Sequence, residues 1–130
     1  MSAPRRPALI DTSIIIDVLR GRAEAVELLL DGRTAGRLHA SEITRLEVLA
    51  GMRPAEEQPT ARLLSAFTWH DVDTPTAEHA GELGRRWLPS HHTIDAADLA
   101  IAATAILLGA RLVTRNVRHF PMFPDLTAPY

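Results

Sequence analysis

Ala8-Leu9-Ile10 runs apolar into Asp11-Thr12-Ser13, which reads as a short buried strand ending in a polar turn. Ile14 to Arg20 follows as a helix that Gly21 stops. Ala23 to Leu30 predicts a second helix, with Ala23, Val26 and Leu30 on one side and Asp31-Gly32 as its stop. Arg37-Leu38-His39-Ala40 is a strand candidate, and Ser41 caps a helix that reaches about Ala50 and is closed by Gly51 and Pro54. Thr60 to Phe67 then reads as helix, Thr68 to Val72 as strand, and Thr76 to Leu88 as a helix ended by Pro89. Ile94 to Leu108 is apolar almost all round, the mark of a helix buried on most sides. Gly109 ends it, and Arg111 to Thr114 reads as another strand. The stretch from Phe120 to Tyr130 carries three prolines and is expected on the surface, with a short edge strand at Leu126-Thr127-Ala128.

Strands that alternate with helices predict an α/β fold with a mostly parallel sheet covered on both faces. In such sheets a site belongs at the carboxyl ends of the strands, where the strand order switches direction. The 130 residues make one domain, with residues 1–6 as a flexible tail. A chain of this size buries close to about 70% of its unfolded surface and so has a core of its own.

Composition narrows the chemistry. The chain is 46% hydrophobic and 23% charged, ordinary globular material, and its longest apolar run falls far short of a membrane span. Arg5 and Arg6 lead into only three apolar residues before Asp11, too few for a signal-peptide core, so the expected address is the cytoplasm. All 14 basic residues are arginine; with 16 acids the formal charge is −2. The absence of lysine excludes a Walker A loop, Schiff-base chemistry and a response-regulator receiver site. It also counts against a haloacid-dehalogenase phosphatase, which in addition wants an acid where Ser13 stands. The absence of cysteine excludes a thiol nucleophile, a disulfide framework and a zinc ribbon.

Three acids stand where the pattern wants hydrophobes. Asp11 follows the first strand directly, either as a ligand-end acid or as the cap of the next helix. Glu47 falls within the stripe expected from Ile43, Leu46 and Ala50, and a carboxylate there must pair with an arginine, ligate a metal or stay protonated. Asp98 shares a face with Ile94, Ile101, Ala105 and Leu108 in the most apolar helix, in the first turn where the helix dipole favours an anion. Asp95, three residues earlier, is explained as a cap. Carboxylates from separate segments meeting at one sheet edge repel one another unless a cation is present, and oxygen-only donors favour Mg²⁺ or Mn²⁺ over zinc. After the last strand, Thr114-Arg115-Asn116-Val117-Arg118-His119-Phe120 brings an amide, two arginines and an imidazole toward the same edge. Asn116 reads equally as a ligand and as a turn asparagine. His91-His92 near Asp95 reads as solvated or capping rather than as a metal cluster.

Leu9-Ile10-Asp11-Thr12-Ser13, Glu47-Val-Leu-Ala-Gly51, Asp98-Leu-Ala-Ile-Ala-Ala-Thr-Ala105 and Leu112-Val-Thr-Arg-Asn116-Val-Arg-His-Phe120 together resemble the motifs of PIN-domain ribonucleases. Within these the chain is similar to the VapC toxins of bacterial toxin–antitoxin pairs, in order and spacing and over nearly its whole length. The resemblance implies a PIN-like central parallel sheet of four or five strands, flanked by helices, and a Mg²⁺- or Mn²⁺-dependent endoribonuclease site. It makes Asp11, Glu47, Asp98 and Asn116 the catalytic set, with Asp11, Asp98 and Glu47 as metal ligands and Ser13 and Thr114 in support. It implies RNA hydrolysis to 5′-phosphate and 3′-hydroxyl products, and it makes Arg115, Arg118, Arg20 and Arg45 candidates for flanking phosphates. One departure stands out: many relatives carry aspartate just before the last phenylalanine, where this chain has His119. A second metal is then held weakly or only with RNA present.

Ile14, Ile15, Ile16, Val18 and Leu19 cover more than one face of their helix, a surplus that points to a protein partner. The resemblance implies a VapB-type antitoxin that packs beside this helix and presents an arginine to the acids, and a homodimer. Two other readings remain open: a housekeeping PIN nuclease in RNA or DNA processing, and a PIN-like binding module with a weakened site.

Overall fold

The computed structural model describes residues 6–34 and 38–130. The expectations for residues 1–5 of the tail and for Arg37 lie outside the described residues. Four strands form one parallel sheet: β1 (Ala8–Ile10), β2 (Leu38–Ser41), β3 (Thr68–His70) and β4 (Arg111–Val113), in the order β3-β2-β1-β4. Leu9 pairs with His39 on one side and Leu112 on the other. The strand order therefore reverses between β1 and β4, and the cleft for a ligand opens at that point.

Among the described residues, six α-helices connect and cover the strands: α1 (Thr12–Leu19), α2 (Ala23–Thr34), α3 (Glu42–Ala50), α4 (Glu57–Leu64), α5 (Thr74–Trp87) and α6 (Ala96–Leu108). The pleat sends alternate residues to opposite faces. Ala8, Ile10 and Val113 join Ile14 and Ile15 of α1, Ala25 and Leu29 of α2, Val48 of α3 and Leu64 of α4 in one cluster. Leu9 and Leu112 meet Ile101, Ala102 and Ala105 of α6 on the other face, with Phe120. α5 lies outside α6, with Ala80 against Leu99 and Ala103. Leu9, Ile10, Ile14 and Ile15 are wholly buried, each contributing about 1.5–3 kcal/mol of hydrophobic stabilisation.

Local signals explain the boundaries. Ser41 caps α3 by accepting the Ile43 N–H at 3.2 Å, and Asp73 caps α5 by accepting that of Thr76 at 3.0 Å. Gly109 closes α6 at φ 68°, in the left-handed region where a Cβ is strained. Gly109→Ala is expected to cost about 1 kcal/mol, read as a lower urea midpoint with an unchanged slope. Nothing lies within 4 Å of where that Cβ would be, so strain alone sets the cost.

Several expectations are corrected. α2 does not stop at Asp31-Gly32 but continues to Thr34; Gly32 lies within the helix without a positive φ, and a Cβ there would press on the Leu38 side chain. Its inner residues are Ala25 and Leu29; Ala23 is exposed and Leu30 is 55% exposed, since the apolar run covers two faces and the neighbours select one. In α3 the expected stripe is also wrong. Leu46 and Ala50 face outward, and Thr44, Glu47 and Val48 turn inward or into the cleft. The surplus on α1 is partly absorbed, because Val18 and Leu19 pack against the core and Ile16 lies in the cleft. Residues 126–128 form no strand; Leu126 packs instead by its side chain on the Phe120 cluster, while Phe120 itself is fully buried and Tyr130 half-buried.

β3, at the sheet edge, brings His70 to His39 of β2, with Nδ1 of His39 2.8 Å from Nε2 of His70 and the rings stacked. Burial, then the neighbouring His70, lowers the His39 pKa. Among the described residues no helix is long and apolar enough to cross a membrane.

Candidate functional site

At the carboxyl ends of β1 and β4, a cleft of about 380 Å³ is lined by Asp11, Glu47, Asp98 and Asn116, the four residues expected to act together. They arrive from four segments: the end of β1, the middle of α3, the first turn of α6 and the loop after β4.

Asp11 is the most firmly held. Its backbone N–H donates to the Val113 carbonyl at 2.9 Å, extending the β1–β4 pairing by one residue. Its Oδ2 accepts the hydroxyls of Thr114 at 2.7 Å and Ser13 at 2.8 Å, with the Ser13 N–H at 3.4 Å completing the cap of α1. Each hydroxyl oxygen in turn accepts a backbone donor of the last loop, Ser13 from Arg115 N–H at 3.2 Å and Thr114 from Asn116 N–H at 2.9 Å. Ser13 and Thr114 thus couple Asp11 to the loop that carries Arg115 and Asn116.

Glu47 reaches the cleft from α3 and accepts the Thr12 hydroxyl on Oε1 at 2.7 Å. The Thr44 hydroxyl lies 3.1 Å from that of Thr12, so α3 meets α1 through polar contacts as well as through the buried Val48. Burial raises the Glu47 pKa, the Thr12 bond works against this, and the charges of Asp95 and Asp11 add to the rise.

Asp98 is buried and shares a capping box with Asp95: Asp98 N–H donates to Asp95 Oδ1 at 2.8 Å, and Asp95 N–H donates to Asp98 Oδ2 at 3.2 Å. Its Oδ2 also lies 3.1 Å from Nδ1 of His119. Burial is the main cause that pushes the Asp98 carboxyl up to about 6, and the Asp95 charge adds to it, while the Asp95 N–H and His119 pull it down. His119 thus sets an imidazole against Asp98.

Asp95, Asp17 and Thr12 also line the cleft, beyond the expected set. Asp95 was legible only as a cap, and it is one; its place in the cleft follows from the Asp98 it caps. Asp17 had no signal, because a polar residue on an amphipathic helix is unremarkable. Among the four candidate arginines, Arg115 alone lines this cleft. Arg20 pairs with Glu56, and Arg45 pairs with Glu42 at 2.7 Å while lying over the Trp69 ring at 4.0 Å. Arg118 is exposed on the turn Val117–His119, beside the cleft. His91 sits edge-on to Trp87, away from the acids.

Five carboxylates thus face one cleft against Arg115 and His119. Among the described residues, no three such side chains are drawn together closely enough to cage a metal as they stand, because each turns to protein donors. The donor chemistry nonetheless fits a hard cation. The candidate donors are oxygens, and although burial is the main reason that the Glu47 and Asp98 pKa values are raised, neighbouring carboxylates add to the rise, a repulsion that a divalent ion would relieve.

The PIN domain family model matches residues 8–123. Ribonuclease VapC19 of Mycobacterium tuberculosis is 48% identical over 123 residues, covering 94% of this chain and 98% of that protein. Ribonuclease VapC10 of the same organism is 38% identical over 122 residues, covering 94% and 92%. A chain of a toxin–antitoxin complex from Klebsiella pneumoniae matches the fold with a TM-score of 0.80 at 33% identity, covering 95% of this chain and 98% of that one.

Proposed function

Because the chain belongs to the PIN-domain family, we propose that it is a VapC-type ribonuclease toxin, a single-domain cytoplasmic enzyme that cleaves RNA and is neutralised by a VapB-type antitoxin. The observation that carries the reading is the meeting of Asp11, Glu47 and Asp98 at the β1–β4 switch point, from three segments far apart in sequence.

Asp11, Glu47 and Asp98 are the residues that would hold Mg²⁺ or Mn²⁺. When bound, such an ion supplies positive charge to the scissile phosphate and acidifies the attacking water. The chain's own residues do the rest. Ser13 and Thr114 orient Asp11, and Asn116 lines the same cleft. Hydrolysis leaves a 5′-phosphate and a 3′-hydroxyl. Beside α1, Val18, Val26, Leu29, Leu38 and Leu63 line an apolar groove of about 200 Å³, which suits an apolar antitoxin segment. An antitoxin arginine reaching the five carboxylates would meet complementary charge.

Purified protein is expected to cut total RNA with Mg²⁺ or Mn²⁺ and to fall silent in EDTA, a loss of at least about 10²-fold that added Mg²⁺ restores. Fragments should carry 5′-phosphates. If folded, antitoxin-free protein is silent on RNA and DNA with every ion, the nuclease reading fails and a PIN-like binding module takes its place. Cleavage of DNA alone would point to a processing nuclease.

A further inference from the structure

Arg115 is a long side chain at the lip of the cleft, 39% exposed, yet it is held on two sides. Its Nη1 donates to Asp17 Oδ2 at 3.0 Å, and its guanidinium carbon lies 5.6 Å from the centre of the Tyr130 ring. The Tyr130 hydroxyl donates to the same Asp17 oxygen at 2.7 Å. Arg22 lies over the Tyr130 ring as well, at 4.8 Å, and the ring packs on the core cluster beneath α1. Tyr130 therefore touches both the arginine and the carboxylate that orients it, from outside the cleft that these two line.

An arginine free to swing must be ordered when a phosphate arrives, and that ordering weakens binding. One already fixed by a carboxylate and a ring loses less, and a guanidinium has five N–H donors, of which the Asp17 bond uses one. The remaining donors are available to phosphate oxygens. On the ribonuclease reading above, we propose that Tyr130 is a positioning residue for substrate: through Asp17 and its ring it holds Arg115 as a preorganised contact for a backbone phosphate beside the scissile bond. Asp17 and Tyr130 record the contact in their acidities. Burial alone would raise the Asp17 pKa, but bonds from Tyr130 and Arg115 bring it below the ordinary value. Burial, then the bond to Asp17, pushes the Tyr130 phenol well above the ordinary tyrosine range.

The test uses the whole chain and a short single-stranded RNA. Tyr130→Phe keeps the ring and removes the hydroxyl; KM is expected to rise about 3- to 10-fold with kcat unchanged, because a flanking contact acts equally before and in the transition state. Arg115→Gln should raise KM at least as much and lower the salt slope of RNA binding by about 0.7, one single-strand phosphate contact. The double variant should match Arg115→Gln, since Tyr130 acts through that arginine. A KM unchanged in Tyr130→Phe, a loss confined to kcat, or effects that multiply in the double variant would each overturn the proposal.

Tyr130 is the chain's single tyrosine, so tyrosinate absorbance reads it alone. In wild type it is expected to stay protonated at about pH 11, where a free phenol is mostly ionised, and to titrate lower in Asp17→Asn. Wild-type RNA cleavage together with ordinary tyrosine titration would sink the clamp and leave the ribonuclease reading intact. An intact clamp in a protein that cuts no RNA would sink the ribonuclease reading, and the phosphate role of Arg115 with it.

Discussion

Asp98→Asn is expected to reduce RNA cleavage by about 10³-fold, on the order of 4 kcal/mol in the barrier, and at the same time to make the fold more stable at neutral pH. Loss of activity follows from removing a charged oxygen that the proposed cation needs. The gain in stability follows from the environment. Asp98 is only 9% exposed, it faces the Asp95 carboxylate, and its pKa stands at about 6 against an ordinary 3.8. The folded state thus holds the proton more tightly than the unfolded chain does. Its stabilising effect is complete below about pH 4 and is lost as pH rises through about 6, so at neutral pH the native acid carries a penalty.

Asparagine is always neutral and keeps an oxygen for the Asp95 N–H, which removes the penalty without opening the capping box. The expected gain is about 1 kcal/mol in metal-free buffer near pH 8, and it should vanish near pH 4. Urea unfolding at the two pH values checks it. A variant no more stable than wild type at the higher pH would contradict this account of the cleft.

Asp11→Ala is expected to lose cleavage to a similar extent but to lose stability as well, by about 2–3 kcal/mol. Asp11 is 3% exposed, and its Oδ2 is the common acceptor for Ser13 and Thr114. Removing it takes away the cap of α1, worth about 1 kcal/mol, and leaves the fully buried Thr114 hydroxyl without its acceptor, worth about 1–3 kcal/mol. It also releases the loop of Arg115 and Asn116. Asp11→Asn restores an acceptor oxygen, so it should recover most of the melting temperature and little of the cleavage. If the alanine variant melts with wild type, the hydroxyl relay contributes little. Two acids proposed for one role thus differ in stability, since Asp11 is surrounded by donors and Asp98 lies beside another acid.

The contrast between these two acids was invisible along the chain, although both residues were conspicuous there. Asp98 stood out because every neighbour on its helix is apolar, and α6 does bury it. Asp11 stood out because a strand ends at it, and β1 does. The stripe that singles out Glu47 is itself wrong at Leu46, which is 60% exposed, yet the four-residue spacing from Ile43 does put Glu47 on the inner side. An apolar residue marks the core only when some neighbour covers it, and on α3 the inner side combines the buried Val48 with the polar contact of Thr44 and Glu47 with Thr12.

By itself the sequence determined what depends on residues within a helical turn or a strand of one another. That includes the caps Asp11, Ser41 and Asp95, the stop at Gly109, the alternation that makes an α/β fold, and the acids out of place in it. The tertiary structure alone decided which oxygen each donor meets and which arginine reaches the cleft. Thr114 and Asp11 are 103 positions apart, and Tyr130 and Asp17 are 113. Such pairs form only because β4 lies beside β1 and the final segment returns across α1, contacts set by packing of the whole chain rather than by local periodicity.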